Sequence, residues 1–189
     1  MQKIYRNIQK LEAPQGRTIR GLAAVTGSWS KDLGGFRELI QPGAIDEDLV
    51  NRSDVMLNVD HDPSKVLARS RRGSGSLKLS VTSRGLEFET EAPATQLGND
   101  MLEMLKRGDY SQCSFCFTLP DEDADVWYRD SDGMLCREIK KFDRLWDVSV
   151  VYDPAYDATY ADARSTEMVQ RFSKLDLLEK EIISIYTGK

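Results

Sequence analysis

The chain contains a single histidine, His61, which lies between two aspartates in the segment Asn-Val-Asp-His-Asp at 58–62. Histidine is the side chain whose unperturbed pKa lies closest to neutral pH, so any proton transfer by an imidazole in this protein must use His61. The apolar run 55–57 precedes the segment and Pro63 follows it, which is also a typical setting for a residue that only caps a turn. General-base chemistry and a structural turn are therefore both open at this position.

A candidate nucleophile, Ser114, lies further along the chain in the strand-like segment Cys-Ser-Phe-Cys-Phe at 113–117. Side chains alternate between the two faces of a strand, so Ser114 and Cys116 should share one face and the other three residues the opposite one. A serine hydroxyl is a poor nucleophile unless a base accepts its proton, and that base needs a carboxylate or a similar group to orient it. From this segment alone, Ser114 is either a core hydroxyl or a positioned nucleophile.

The candidate carboxylates are the two aspartates beside His61 and, later in the chain, Asp147. In the segment 145–151, alternation predicts Asp147 and Ser149 on one face of a strand, with Trp146 and two valines on the other. A carboxylate on so apolar a strand indicates a partner, because burying an unpaired charge is costly. An exposed position on an edge strand is the alternative.

The three cysteines include a Cys-x-x-Cys pair, Cys113 and Cys116. An odd number of cysteines argues against a secreted disulfide framework, and no second pair is present to complete a zinc site. Residues three apart in a strand point to opposite faces, which suits neither a redox pair nor half of a metal site. We interpret the thiols as free and buried, and a cysteine peptidase is disfavoured because Cys113 should face away from Ser114.

With 189 residues, 30% of them charged, and a net charge of −5, the chain should form one globular domain with an appended element. The acidic balance argues against a broad basic surface for nucleic acid or anionic membrane, and the basic cluster at 69–72 is interpreted as a solvated turn. No apolar stretch approaches the roughly 20 residues of a membrane span, and the first residues lack the apolar core of a signal peptide. We expect a soluble, intracellular protein.

Short strand-like segments separated by glycine fill most of the chain up to residue 152. Apart from the segment around Ser114, they lie at 17–25, 36–40, 55–59, 65–69, 77–81, 86–91, 126–129, 135–142 and 145–152. The alternation in 77–81 is typical of a half-buried antiparallel strand. A short helix is predicted at 44–50 and a longer one at 99–107, where Gly108 follows an apolar stripe at the expected end of the helix.

The pattern changes at about residue 165. Apolar residues then recur at steps of three and four, which predicts a helix about five turns long with one apolar face. They are Met168, Phe172, Leu175, Leu178, Ile182 and Ile185. We therefore divide the chain into a body at 1–162 and a C-terminal amphipathic helix at 163–189. This helix either covers the body or pairs with a partner helix, and both interpretations stay open.

An ordered set of segments carries a resemblance to a known family. They are Gly-Phe-Arg-Glu-Leu-Ile-Gln-Pro-Gly-Ala at 35–44, Asn-Val-Asp-His-Asp at 58–62, Arg-Gly-Leu at 84–86, Arg-Gly at 107–108, Cys-Ser-Phe-Cys-Phe at 113–117, and Trp-Asp-Val-Ser-Val-Val-Tyr-Asp-Pro-Ala-Tyr at 146–156. Together they resemble the prohead maturation proteases of tailed bacteriophages, whose fold is similar to that of the herpesvirus capsid-assembly proteases. The resemblance extends over about residues 17–160.

The resemblance implies roles for individual residues. His61, in the family's Asn-x-x-His context, would be the general base, and Ser114, in a Ser-Phe-Gly-Phe-like strand, would be the nucleophile. Cys116 occupies the family's glycine position, which makes the site bulkier. Asp147 stands where the family usually has a glutamate and would be the third catalytic member, with Ser149 on the same face as the alternative group for orienting the imidazole. The herpesvirus enzymes use a second histidine in this role, and this chain has none.

For the whole protein, the resemblance implies an α+β fold built mainly on an antiparallel β-barrel with flanking helices. It implies a serine endopeptidase without cofactor or metal that acts inside proheads assembling in the host bacterial cytoplasm. Its substrates would be the major capsid protein with its scaffolding region, and the protease itself. We also expect a homo-oligomer, and Glu38, which matches the family pattern, is interpreted as structural. The alternative function is a catalytically idle capsid-assembly or scaffold-binding module on the same fold.

Overall fold

The computed structural model describes residues 3–11, 13–152 and 163–187 and has an α+β fold with twelve strands and three α-helices in these ranges. The strands are β1 (Ile4–Lys10), β2 (Thr18–Val25), β3 (Phe36–Ile40), β4 (Asp54–Val59), β5 (Asp62–Arg71), β6 (Ser74–Gly75), β7 (Lys78–Thr82), β8 (Gly85–Glu91), β9 (Gln112–Thr118), β10 (Asp125–Arg129), β11 (Leu135–Ile139) and β12 (Arg144–Val151). The helices are α1 (Glu47–Arg52), α2 (Gln96–Arg107) and α3 (Ala163–Thr187). The α+β class predicted from the resemblance is confirmed.

The two helices of the body begin after residues whose side chains cap the first turn. Asp46 precedes α1 and Thr95 precedes α2, and each side chain accepts a hydrogen bond from a backbone N–H of that turn. As a result, α1 begins at residue 47 rather than at the predicted 44, and α2 at 96 rather than 99. Gly108 adopts a left-handed φ of 81° directly after α2, so the predicted end of that helix is confirmed.

Every strand predicted from the sequence is present, and the two additional strands are the short β6 and, at the start of the chain, β1. Its residues, Ile-Tyr-Arg-Asn-Ile-Gln-Lys, are mostly polar and have weak strand character of their own. Pairing with β9 over most of its length makes this segment a strand. Because that partner lies far away in sequence, no local pattern reveals the pairing.

The strands form three sheets. The largest has the order β1-β9-β12-β4-β5-β6, and the two three-stranded sheets have the orders β10-β11-β3 and β2-β8-β7. Most neighbours are antiparallel, but β12 pairs with β4, and β11 with β3, in parallel. The strands that the structure describes form no closed barrel, so the barrel implied by the resemblance is not confirmed.

The inner side of the six-stranded sheet is aromatic. Phe115 and Phe117 of β9 pack against Phe142, and the rings of Phe117 and Phe142 stack with their centroids 4.2 Å apart. All three side chains are fully buried. Because residues alternate along β9, this packing leaves Ser114 and Cys116 on the opposite side of the sheet.

The prediction that Trp146 shares a face of its strand with the two valines of the same segment is wrong. The pairing of β12 with β9 shifts register between Leu145 and Asp147, so β12 contains one extra residue at this point. Leu145 and Val148 belong to the hydrophobic core, whereas Trp146 lies outside the core and is partly exposed. A β-bulge interrupts the alternation here, and alternation along the sequence is what the prediction assumed.

Four buried charged side chains join β1 to the sheet formed by β10, β11 and β3. Glu38 accepts two hydrogen bonds from Arg6, both at 2.7 Å, and one from Arg137 at 3.0 Å. Arg137 also donates to Asp125 at 2.8 Å. Each charge faces an opposite charge, which offsets the cost of removing it from water. These contacts support the structural role expected for Glu38.

Helix α3 contacts the body near the middle of its length. Arg129 pairs with Asp176 and lies over the ring of Phe172, while Leu175 and Leu178 remain 47% and 45% exposed. The predicted helix is confirmed, but only part of its apolar stripe is covered; the side chains at 182 and 185 lie outside the described part. No helix in the described ranges has the length and apolar character needed to cross a membrane.

We expect Glu38→Gln to lower the free energy of unfolding by about 3 kcal/mol or more, because it removes the carboxylate shared by two buried arginines. Urea unfolding followed by circular dichroism measures the change. The matched control is Glu89→Gln, which breaks the exposed Lys78–Glu89 pair and should leave the unfolding midpoint in place. Equal midpoints for both variants would contradict the structural role of the cluster.

Candidate active site

Three side chains from distant parts of the chain meet on the outer side of the six-stranded sheet. His61 Nε2 lies 2.6 Å from Ser114 Oγ, and His61 Nδ1 lies 2.6 Å from Asp147 Oδ1. Ser114 is fully buried and Asp147 almost so, while the imidazole is partly exposed. A hydroxyl, an imidazole and a carboxylate in this order can transfer a proton from the hydroxyl and stabilise the resulting imidazolium.

Strand register brings the serine and the carboxylate together. Ser114 of β9 pairs with Ser149 of β12, and Cys116 pairs with Asp147 in the next row. Residues directly opposite each other on paired strands project to the same face of the sheet, so all four share the outer face. The prediction that Ser114 and Cys116 share a face is confirmed. Asp147 and Ser114 are diagonal neighbours, a spacing that an imidazole can bridge.

The imidazole reaches this face from a tight turn between β4 and β5. Val59 pairs with Asp62, so Asp60 and His61 form a two-residue loop, with φ values of 53° and 56°. Positive φ at both central residues defines the type I′ hairpin turn, in which side chains other than glycine are strained. Aspartate and histidine are among the residues that tolerate this conformation best. The turn expected at His61 and the contact with Ser114 are therefore both present in the structure.

Three hydrogen bonds hold the turn in place. The Asp60 N–H donates to the Val150 carbonyl at 3.0 Å, and the His61 N–H donates to Ser149 Oγ at 2.8 Å. The Tyr110 hydroxyl donates to the Asp60 carboxylate at 2.7 Å. Of the two candidates for orienting the imidazole, Ser149 contacts the backbone of His61 and Asp147 contacts its ring.

Sequence reasoning missed Tyr5, which packs edge-on against the imidazole with the ring centroids 4.7 Å apart. Burial, with Cys116 and Asp147 close by, raises the pKa of Tyr5 to about 12, so the phenol stays neutral at physiological pH. Tyr5 belongs to β1 and pairs with Cys116 of β9. No signal in the sequence predicts this strand, and so none predicts the contact.

The cysteines near the site are poor nucleophiles. Burial, reinforced by the negative charge of Asp147, raises the pKa of Cys116 to about 12 and raises that of the Cys113 thiol as well. Both are free thiols, and Cys113 belongs to the core on the opposite side of β9 from Ser114. Neither is a thiolate at neutral pH, which disfavours a cysteine peptidase.

In the described part of the chain, no group of three or more histidine, cysteine or acidic residues could hold a metal ion.

The chain matches one known protein family and is similar to a solved structure. A family model described as Caudovirus prohead serine protease matches residues 5–173 of the chain. Among solved structures, the bacteriophage T4 capsid assembly protease matches with 9% sequence identity and a TM-score of 0.47, over 81% of this chain and 98% of that one. No curated protein sequence matches the chain.

We expect Ser149→Ala to release the backbone of His61, because the serine hydroxyl is the acceptor for its N–H. The predicted cost is about 1 kcal/mol of unfolding free energy. Native-state hydrogen exchange should be several-fold faster at the His61 amide than in the unmodified protein.

The matched control is Ser70→Ala. The Ser70 hydroxyl is also buried, but it has no hydrogen-bond partner among the described residues. Removing it should therefore not destabilise the protein, and exchange at His61 should not change. If exchange at the His61 amide is unchanged in Ser149→Ala, the hydrogen bond to Ser149 does not hold the turn in place.

Proposed function

Because the chain belongs to the caudovirus prohead serine protease family, we propose that it is a serine endopeptidase with Ser114 as nucleophile, His61 as general base and Asp147 as third catalytic member. The observation that carries this proposal is the pair of 2.6 Å contacts that His61 makes with Ser114 and Asp147. Both lie within the hydrogen-bond reach required for proton transfer.

The proposed reaction is acyl transfer. The Ser114 oxygen bonds to the carbonyl carbon of the substrate while its proton moves to His61 Nε2. The tetrahedral intermediate then collapses: the C–N bond breaks, and His61 donates the proton to the leaving amine. Water hydrolyses the acyl-enzyme in the same way, with His61 again accepting and returning the proton.

Asp147 is suited to the third role by its position and burial. Its carboxylate accepts a hydrogen bond from the imidazole when the proton is on Nδ1, which leaves Nε2 free to accept the proton of Ser114. Being almost fully buried, it is poorly screened by water and stabilises the imidazolium that forms during the reaction. Ser149 acts through the backbone of His61 in this proposal and is a positioning residue.

Membership of the family supports the substrates that we propose. They are the major capsid protein with its scaffolding region, and the protease itself, inside proheads in the cytoplasm of the host bacterium. We propose that the protease acts as a homo-oligomer and needs no cofactor.

One observation favours the alternative, a catalytically idle assembly or scaffold-binding module. Ser114 is 0% exposed, so a peptide carbonyl can reach its hydroxyl only if neighbouring side chains move. The imidazole of His61 contacts the Ser114 hydroxyl, and Tyr5 packs against that imidazole. An idle module would keep this covered arrangement, whereas a protease must open it when substrate binds.

We expect Ser114→Ala and His61→Ala each to abolish cleavage of a co-expressed capsid precursor, because each removes a group required for nucleophilic attack. Gel electrophoresis and mass spectrometry of the precursor measure the result, and circular dichroism verifies that the variants fold. Full cleavage by Ser114→Ala would refute the assignment of the nucleophile. No cleavage by the unmodified protein in the same assay would favour the idle module.

We expect Asp147→Asn to lower kcat by roughly a factor of 10³ to 10⁴, because an amide favours the wrong imidazole tautomer and cannot balance the imidazolium charge. Steady-state kinetics on a cleaved peptide measure this effect. The matched control is Asp143→Asn, since the Asp143 carboxylate accepts a hydrogen bond from Thr118 and does not contact His61. Similar kcat values for the two variants would contradict the role of Asp147.

A further inference from the structure

Two cationic side chains stack on one partly exposed tryptophan beside the candidate site. The Lys3 ammonium lies 4.4 Å from the centroid of the Trp146 ring, and the Arg144 guanidinium lies 5.2 Å from it. Lys3 and Arg144 are both exposed. We call these three residues the cationic cluster. The bulge in β12 produces it, because the bulge displaces Trp146 from the core.

Within the described ranges, the positive charge of the cluster has no neutralising partner. No carboxylate in the described part of the chain forms an ion pair with Lys3 or Arg144, although most other cations near the main sheet have one. The neighbouring aspartates are engaged elsewhere, Asp147 with His61 and Asp143 with the Thr118 hydroxyl. Two like charges on one ring repel each other, so a bound anion would stabilise the arrangement.

The indole of Trp146 adds an unused donor. Its Nε1 is buried and has no hydrogen-bond partner among the described residues. A buried donor without an acceptor costs free energy, and a ligand oxygen could recover that cost only if the side chains that bury the indole N–H move aside. The two exposed cations on the ring are the part of the cluster that a carboxylate can reach, and they are its complement.

The cluster lies within reach of a substrate bound at Ser114. Arg144 pairs with Thr118 of β9, and Lys3 precedes the residue that pairs with Phe117, so both flank the end of β9. Thr118 lies four residues beyond Ser114 on the same face, which is about 13 Å at the usual rise of a strand. Trp146 lies closer, directly before Asp147. An extended peptide would place a side chain there about two to four residues from the bond being cleaved.

We propose that Lys3, Trp146 and Arg144 form a substrate subsite that binds an aspartate or glutamate side chain of the peptide being cleaved. This inference rests on the proposed protease function, because it names a feature of that enzyme's substrate. On a chain with a net charge of −5, the cluster is a local concentration of positive charge that attracts an acidic side chain. It thereby selects the register in which the peptide lies across Ser114.

The first experiment profiles cleavage. The full chain is incubated with a degenerate peptide mixture, and mass spectrometry identifies the bonds that are cut. We expect acidic residues to be enriched at one position, two to four residues from the cleaved bond. A peptide pair that differs only by Glu or Gln at that position then gives a ratio of kcat/KM values, which should be roughly five to ten, since two partly exposed charge pairs contribute.

The variants Arg144→Gln and Lys3→Gln should reduce this ratio towards one, and Arg144→Glu should reverse it. The control is Lys78→Gln, which removes an exposed cation from a different sheet and should keep the ratio of the unmodified enzyme. A ratio that stays unchanged in Arg144→Gln, or the absence of any acidic preference, would overturn the subsite.

A binding measurement separates failure of the subsite from failure of the protease assignment. Hexaglutamate and hexaglutamine are titrated against Ser114→Ala, and tryptophan fluorescence follows binding. We expect hexaglutamate alone to bind, with the signal lost in the double variant that also carries Arg144→Gln and keeps Trp146 as the reporter. If the unmodified chain cuts no peptide but this binding is present, the protease function fails and the acid-binding cluster stands. If hexaglutamate does not bind and no acidic preference is found, the cluster is overturned.

Discussion

The pairing of β9 with β12 sets Ser114 opposite Ser149 and Cys116 opposite Asp147, and the contacts of the candidate site depend on this register. A slip of one residue would turn Ser114 into the core and Phe115 outward, because side chains alternate strictly along a strand. The stacked phenylalanines on the inner face oppose such a slip, since they would lose their burial. Packing on one side of the sheet therefore maintains the geometry on the other.

The turn at Asp60 and His61 shows how a strained segment is held in place. Both residues adopt positive φ. Their N–H groups donate hydrogen bonds to Val150 and Ser149, and the Tyr110 hydroxyl donates one to Asp60, so that the turn is held against the sheet. Because two of these partners lie on β12, the strand that carries Asp147 also positions the backbone of His61. The ring and the backbone of His61 thus both contact residues of β12, which limits how far the imidazole can move from the carboxylate.

The N-terminal strand links the site to the rest of the molecule. β1 contributes Tyr5 to the imidazole, while Arg6, the next residue, points to the other face and pairs with Glu38. The buried charged side chains of Arg6 and Glu38 therefore anchor the strand that carries Tyr5. Neither β1 nor the group of buried charges around Glu38 can be predicted from local patterns, because both depend on partners far away in sequence. The bulge at Trp146 is a third such feature. It is the reason that this side chain lies on a different face of the strand from the one predicted.

By itself, the sequence determined which groups could do chemistry and which face each would occupy on its own strand. His61 is the only imidazole, and alternation placed Ser114 with Cys116, and Asp147 with Ser149, because the directions of side chains along a strand depend only on local geometry. Only the tertiary structure decided that these faces meet and that Asp147 contacts the ring while Ser149 contacts the backbone. The physical reason is that register, bulges and the approach of a turn to a sheet depend on packing between distant segments, which no local pattern encodes.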